Sequence, residues 1–263
     1  MKDRSNELDF AISIAKEAGA LMRKNFKMDR KIEFKEDKTE ITETDLAIND
    51  LVLKKIREHY PEHNLLAEEE SDMQRKTDFV WVCDPIDGTL AFARGIPTST
   101  FSLALTRNGE SILGVVYDPF MDRLYYAEKG KGAYLNDKKI NVSKQNKLSE
   151  SMITLISWKN APFRVEGLYP KLIKQGVHIL DFGSAVYDGC LVASGKFEAL
   201  IFPQKKPHDS VALKIIIEEA GGKVTSLFGK DQKYNGEISG LLASNGLIHE
   251  ELVSLIKSEL EQN

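Results

Sequence analysis

The chain is poor in several things that would place it at once. Of its 263 residues only two are cysteine. Cys83 and Cys190 are too few for a disulfide framework and have no metal-ligand spacing, so both are expected as small buried hydrophobes. No apolar run approaches the ~18 residues a spanning helix needs. The opening segment, Met1 to Glu7, mixes charges and lacks the apolar stretch of a secretory signal, so no membrane is expected and a cytoplasmic location is the default. An excess of one charge is missing too: 36 Lys and Arg stand against 40 Asp and Glu, for a net charge of −4. The cations are scattered instead of forming a stripe, and no nucleic acid is expected as a partner. The chain shows no internal repeat, low-complexity tract or flexible linker.

What is there is ordinary globular material, 42% hydrophobic and 29% charged, long enough to bury a large core without a staple. Composition and turn signals change character near Met152, which divides the chain into halves at residues 1–148 and 149–263 that pack as a single unit.

The most informative stretch is Trp81-Val82-Cys83-Asp84-Pro85-Ile86-Asp87-Gly88-Thr89. An aromatic and β-branched run reads as a buried strand, expected to stop abruptly at Asp84. Pro85 cannot join a sheet ladder and Gly88 allows close backbone approach, so a sharp turn should hold two carboxylates at the strand's end. Carboxylates so close repel unless a cation lies between them, and magnesium is the hard, oxygen-seeking choice. Asn64-Leu65-Leu66-Ala67 repeats the pattern, running into Glu68-Glu69-Glu70. An acidic run is commonly a solvated face, yet two strands ending in acids can also converge at one sheet edge.

Helical spacing marks Asn6 to Phe26, through Leu8, Ile12, Ala15, Gly19 and Met22. Lys27 to Glu43 is highly charged and reads as a strand fragment and an exposed loop, a candidate lid. Thr42 and Asp45 stand at capping-box spacing before a second helix, so Asp45 is either a cap or a site residue. Three strands with short links, Thr100 to Thr106, Ile112 to Tyr117 and Leu124 to Glu128, should pair as antiparallel hairpins, and Asn136-Asp137 should be another tip. In the second half, Phe163 to Gln175 reads as a helical segment broken by Pro170, and Ser184 leads into a helix. Asp209 opens a helix that ends at Gly221-Gly222. Glu68, Asp84, Asp87 and Asp209 each admit a bland reading at an element end, but one cluster of divalent cations explains all four.

Asp84-Pro85-Ile86-Asp87-Gly88-Thr89, with Trp81 before it, resembles the signature of the inositol monophosphatase family of magnesium-dependent, lithium-sensitive phosphatases. Tyr60 to Glu69 resembles the segment that leads into that family's Gly-Glu-Glu element, His208-Asp209-Ser210-Val211-Ala212 its Trp-Asp-x-Ala, and Thr42-Glu43-Thr44-Asp45 its Thr-x-x-Asp. Order and spacing agree over essentially the whole chain. The resemblance implies an α/β (α+β type) fold, a layered α/β/α/β/α sandwich of the inositol monophosphatase and fructose-1,6-bisphosphatase kind, and a homodimer. It implies a phosphoric monoester hydrolase for a small sugar or polyol phosphate, using two to three Mg2+ ions. Glu68, Asp84 and the carbonyl of Ile86 would hold one ion, and Asp84, Asp87 and Asp209 another, with a weaker third beside Glu68. Thr89, paired with Asp45, would orient the water that attacks phosphorus, with no phosphoenzyme. Glu68, Asp45 and Thr89 form the implied catalytic set. Asp87, Gly88, Thr89, Gly183, Ser184, Ala185 and Asp209 would meet the substrate, and Glu69 would support from behind.

Four departures bear on specificity. Ala67 stands where the family has glycine, Ala91 where it often has asparagine, and His208 where it has tryptophan. Phe202 lies seven residues before Asp209, where inositol-specific members tend to place an acid, which weakens inositol as the substrate. Lys205 and Lys206 suit a second phosphate, as in fructose 1,6-bisphosphate, or are simply solvated. The resemblance also leaves open fructose 1,6-bisphosphate, histidinol phosphate or 3'-phosphoadenosine 5'-phosphate, handled by phosphatases of the same superfamily, as the alternative substrate. Two rivals remain: an aspartyl-nucleophile phosphatase of the haloacid dehalogenase type, whose paired aspartates are separated by one residue where Asp84 and Asp87 are separated by two, and a non-catalytic protein binding magnesium and a phospholigand.

Overall fold

A computed structural model describes residues 4–26, 33–34 and 40–261. The candidate lid, Lys27 to Glu43, falls largely outside the described residues. Helix α1 (Asn6–Asn25) buries Leu8, Ile12, Ala15 and Met22 on the stripe its spacing predicts, and Ser5 caps it by accepting from the Leu8 N–H at 3.2 Å. The short strands β1 (Glu33–Phe34) and β2 (Glu40–Ile41) pair antiparallel ahead of α2 (Glu43–His59).

The first sheet follows chain order: β3 (Asn64–Ala67), β4 (Phe79–Asp87), β5 (Thr100–Arg107), β6 (Glu110–Asp118), β7 (Arg123–Glu128), β8 (Ala133–Leu135) and β9 (Lys138–Lys139), with α3 (Thr89–Ala93) between β4 and β5. Only β3 with β4 is a parallel pair. The expected hairpins form, and Asn136 and Asp137 take the positive φ that a two-residue tip requires. The second half adds β10 (Met152–Leu155), α4 (Leu168–Lys174), β11 (His178–Ile179), α5 (Ala185–Ala193), β12 (Ala199–Phe202), α6 (His208–Glu219), β13 (Lys223–Thr225), β14 (Leu241–Ser244) and α7 (His249–Leu260). Its sheet runs β11-β10-β12-β14-β13, with β10 parallel to both neighbours and β14 antiparallel to both of its own.

Alternation along the strands fixes the layers. In the first sheet Trp81, Cys83, Leu103, Val115 and Tyr117 bury against α1 and α2, while Val80, Val82, Ala104 and Val116 bury on the other face with α5 and α6. The same cluster continues through Val211, Leu213 and Ile216 to Leu200 and Ala243 of the second sheet. Ile153, Ile201 and Leu242 point the other way and are covered by Leu168, Leu172, Leu252 and Ile256 of α4 and α7. The result is the α/β/α/β/α sandwich. Both cysteines are buried, as expected. No described helix is long and apolar enough to cross a membrane.

Two expectations are corrected. Pro170 does not break its helix, because it lies in the first turn of α4, where a backbone N–H has no partner to lose. Nor does β4 end at Asp84, since the strand runs on to Asp87 through a register shift that shapes the site.

Gly114 of β6 lets α6 lie directly on the sheet. A Cβ there would stand 2.9 Å from both the Cα and the carbonyl oxygen of Ala212 and 2.7 Å from Ile215 Cγ2, so backbone would have to move. Gly114→Ala is expected to cost about 1–3 kcal/mol by overpacking and to weaken divalent-ion binding by shifting the helix that carries Asp209. Thermal melting and a metal titration check it, and wild-type values in both would refute the argument.

Candidate active site

The register shift in β4 sets the geometry of the first two acids. Asp84 pairs with Ser102 and Asp87 with Thr100, so Pro85 and Ile86 together oppose the single residue Phe101. Ser102 and Thr100 are two apart and share a face; the extra residue therefore puts Asp84 and Asp87 on that same face, where strict alternation would have separated them. Proline is tolerated at a bulge because no ladder bond is needed there. The Ile86 N–H donates to Asp84 Oδ1 at 3.0 Å and closes the turn.

Asp209 arrives from the other half of the chain, in the first turn of α6. Carboxylate oxygens of Asp84, Asp87 and Asp209 all lie within 4.8 Å of one another, and all three residues are buried. Burial pushes the Asp84 carboxyl well above the usual range, reinforced by the charges of Glu68, Asp209 and Asp87. Asp87 is pushed up to about 7, chiefly by burial and then by Asp209, against the opposing hydrogen bonds from Ser184 and Val186. Burial also raises Asp209, while the nearby charges of His208 and Lys206 pull it down. Glu68, half-buried just beyond β3, joins the site through its field on Asp84, Asp87 and Asp209. Three crowded carboxylates offering hard oxygen donors at this spacing suit a divalent cation such as magnesium.

Asp45 is the cap its spacing predicts, and it also reaches Thr89. One oxygen closes the capping box, accepting from the Thr42 N–H at 2.9 Å and from the Thr42 hydroxyl. The other faces the Thr89 hydroxyl at 3.3 Å, and that hydroxyl also lies 2.9 Å from the Ile86 carbonyl oxygen. Asp45 is fully buried, and burial lifts its carboxyl to about 7. Glu69 stands near enough for its charge to raise Asp45 further.

Gly88 has φ +80°, and a Cβ on it would come within 2.9 Å of the Gly183 carbonyl oxygen and of Ser184 Cβ. It lets the turn after Asp87 touch the turn before α5. Gly183 also takes a positive φ, its N–H donating to Asp181 Oδ1 at 2.7 Å. Ser184 and Ala185 are buried, and the Ser184 hydroxyl donates to Asp87 Oδ2 while capping α5 through the Tyr187 N–H. Sequence reasoning missed Val186, whose N–H donates to the same Asp87 oxygen at 2.9 Å. A free N–H in the first turn of a helix behind a serine cap was the available signal.

These acids make stability depend on pH in a definite sense. Asp45 and Asp87 hold their protons up to about 7 in the fold against ~3.9 unfolded, so the native state binds more protons between those values. The stability they contribute to metal-free protein is complete below ~3.9 and is lost as pH rises through about 7. A divalent cation competes with those protons and stabilises more as pH rises. Melting of chelator-treated protein should therefore fall between about pH 5 and 8, with magnesium giving its larger gain at the upper end. A flat metal-free profile would contradict the burial argument.

A model of the inositol monophosphatase family matches residues 3–261. The chain is 33% identical to the fructose-1,6-bisphosphatase/inositol-1-monophosphatase of Thermotoga maritima over 98% of both chains. It is 34% identical to inositol monophosphatase 1 of Solanum lycopersicum over 82% of each, and 32% identical to the Nus factor SuhB of Pasteurella multocida over 84% of this chain and 85% of that one. The solved Thermotoga maritima IMPase superposes with a TM-score of 0.88 at 32% identity, covering 98% of this chain and 99% of its own. With layers, acids and matched length in agreement, the chain belongs to the inositol monophosphatase family and is a phosphatase, of a kind that acts on small phosphorylated substrates with a divalent metal.

Proposed function

We propose that the protein is a magnesium-dependent phosphomonoesterase that passes the phosphoryl group of a small phosphorylated alcohol to water. The meeting of Asp84, Asp87 and Asp209 from two halves of the chain carries this reading. Relatives named for inositol monophosphate and fructose 1,6-bisphosphate put sugar and polyol phosphates first among the esters to try.

Glu68, Asp84, Asp87, Asp209 and the Ile86 carbonyl would hold two to three ions. Bound there, magnesium supplies a lowered pKa for water and neutralises charge on the phosphate. The remaining work falls to the chain. Asp45, poised to ionise at about 7 and facing the Thr89 hydroxyl, takes up the proton of the attacking water through that hydroxyl. Backbone N–H groups of Gly88 and Thr89, at the start of α3, meet phosphate oxygens. Ser184 and Val186 hold Asp87 in place, and Glu69 keeps Asp45 easy to protonate. Gly183 and Ala185 line the approach beside Ser184. The burial of Asp84, and its oxygen engaged by the Ile86 N–H, favour attack by water over a phosphoaspartate.

Phosphate release should require magnesium and fall about 100-fold or more in Asp87→Asn. Undiminished turnover in that variant would overturn the assignment.

The same reading takes the enzyme as a cytoplasmic homodimer. Ile96, Leu180 and Phe182 are exposed hydrophobics on two segments that meet where the Phe182 carbonyl accepts from the Thr98 hydroxyl at 2.8 Å, and we take them as the apolar surface offered to a second copy. Light scattering should give twice the chain mass, and Phe182→Asp should halve it; a wild-type monomer counts against the dimer.

A further inference from the structure

The two donors that hold Asp87, the Ser184 hydroxyl and the Val186 N–H, stand at the entry to α5, and that entry is itself held from behind. Helix α5 buries Val186, Cys190 and Ala193, and among them Asp188 is fully buried as well. A carboxyl in such a place is unfavourable unless its oxygens are bonded. Oδ2 reaches back past the Ser184 cap and accepts from the Phe182 N–H at 3.3 Å. Oδ1 and the fully buried hydroxyl of Thr154 on β10 have no other partner among the described residues, and that hydroxyl acts on the Asp188 carboxyl.

Burial, the largest influence, lifts this carboxyl to about 8, opposed by the Phe182 N–H and reinforced by the charges of Asp181 and Asp87. In its neutral form it has one O–H to give and one oxygen to accept with. Donating to Thr154 and accepting from Phe182 satisfies both buried groups and ties the turn before α5 to β10.

The other end of the Phe182 backbone is gripped too. Its carbonyl accepts from the Thr98 hydroxyl at 2.8 Å, and the next residue, the fully buried Ser99, donates to the Gly88 carbonyl at 2.9 Å. Thr98 and Ser99 thus join the turn that follows Asp87 to the turn that holds it. Bound on both sides, Phe182 fixes where the chain enters Gly183 and Ser184, and a shift there would move the Ser184 hydroxyl and the Val186 N–H together.

We propose that Asp188 is a positioning residue of the site: through the Phe182 backbone it sets the turn that presents Ser184 and Val186 to Asp87, with Thr98 as its counterpart on the opposite side. The inference rests on the phosphatase reading and reaches one step behind the residues named there.

Asp188→Ala should raise the magnesium concentration that half-saturates the protein about tenfold, by calorimetric titration as well as by rate. It should also speed amide hydrogen exchange at Phe182 and Val186 while the rest of α5 keeps its protection. Asp188→Asn, whose amide can accept from Phe182 and donate to Thr154, should restore most of both. Thr98→Val, at a half-exposed position, frees the Phe182 carbonyl and should act in the same direction, so the test stands even where Asp188→Ala fails to fold. Wild-type magnesium binding in Asp188→Ala, or in Thr98→Val where only that variant folds, overturns the proposal. So does exchange that rises along the whole helix, which marks a general loosening, or a loss in Asp188→Asn equal to that in Asp188→Ala. Release of phosphate from no ester overturns the phosphatase reading alone, because magnesium binding and exchange are read without turnover.

Discussion

Repulsion among buried carboxylates is the constraint on which this structure turns. Asp84, Asp87 and Asp209 are buried with oxygens inside 4.8 Å of one another, and each is pushed toward its protonated form. Left alone, such a group would disperse or stay neutral. It is held by elements whose own packing has nothing to do with charge: a sheet buried on both faces and a helix pressed onto it at Gly114. The fold's hydrophobic burial offsets the electrostatic cost, and the site keeps a standing demand for positive charge.

The holding is done by backbone more than by side chains. The Ile86 N–H fixes Asp84, and the Val186 N–H with the Ser184 hydroxyl fixes Asp87. These donors favour the ionised form of Asp87 without cancelling its burial, so its carboxyl settles near about 7 instead of far above it. Asp45 reaches the same range by a different route, with Thr42 supplying the compensating bonds. Groups that exchange protons near neutrality are what a site needs if it must admit cations and also move a proton.

Much of this was legible because it is local. The stripe Leu8, Ile12, Ala15, Met22 gave α1, Thr42 with Asp45 gave the start of α2, and the apolar run before Asp84 gave β4. The bulge is not legible, since a period of two carries no mark of where one extra residue is absorbed, and by pattern alone Pro85 marks an end. Pro170 misled in the same way, because its effect depends on whether it falls in the first turn or later, and element ends are the least certain part of any pattern. Val186 was invisible: its side chain belongs to the core, and only its N–H serves the site. Spacing alone presents cap and site as alternatives for Asp45, but a carboxylate has two oxygens, and here one meets Thr42 and the other Thr89.

The three clustered acids come from distant parts of the chain, β4 and α6. The first sheet supplies Asp84 and Asp87 and leads into Thr89, and α2 brings Asp45. The second half brings Asp209 together with the serine cap and N–H that secure Asp87. The apolar cluster that joins the halves, from Val82 and Val116 through Ile216 to Leu200, lies directly beneath these acids in sequence and in space: Val82 is two residues before Asp84, and Val211 two after Asp209. Core packing and site geometry are therefore one property here. A change that loosens the contact between β6 and α6 acts on the distance between Asp84 and Asp209, with no need to touch either acid.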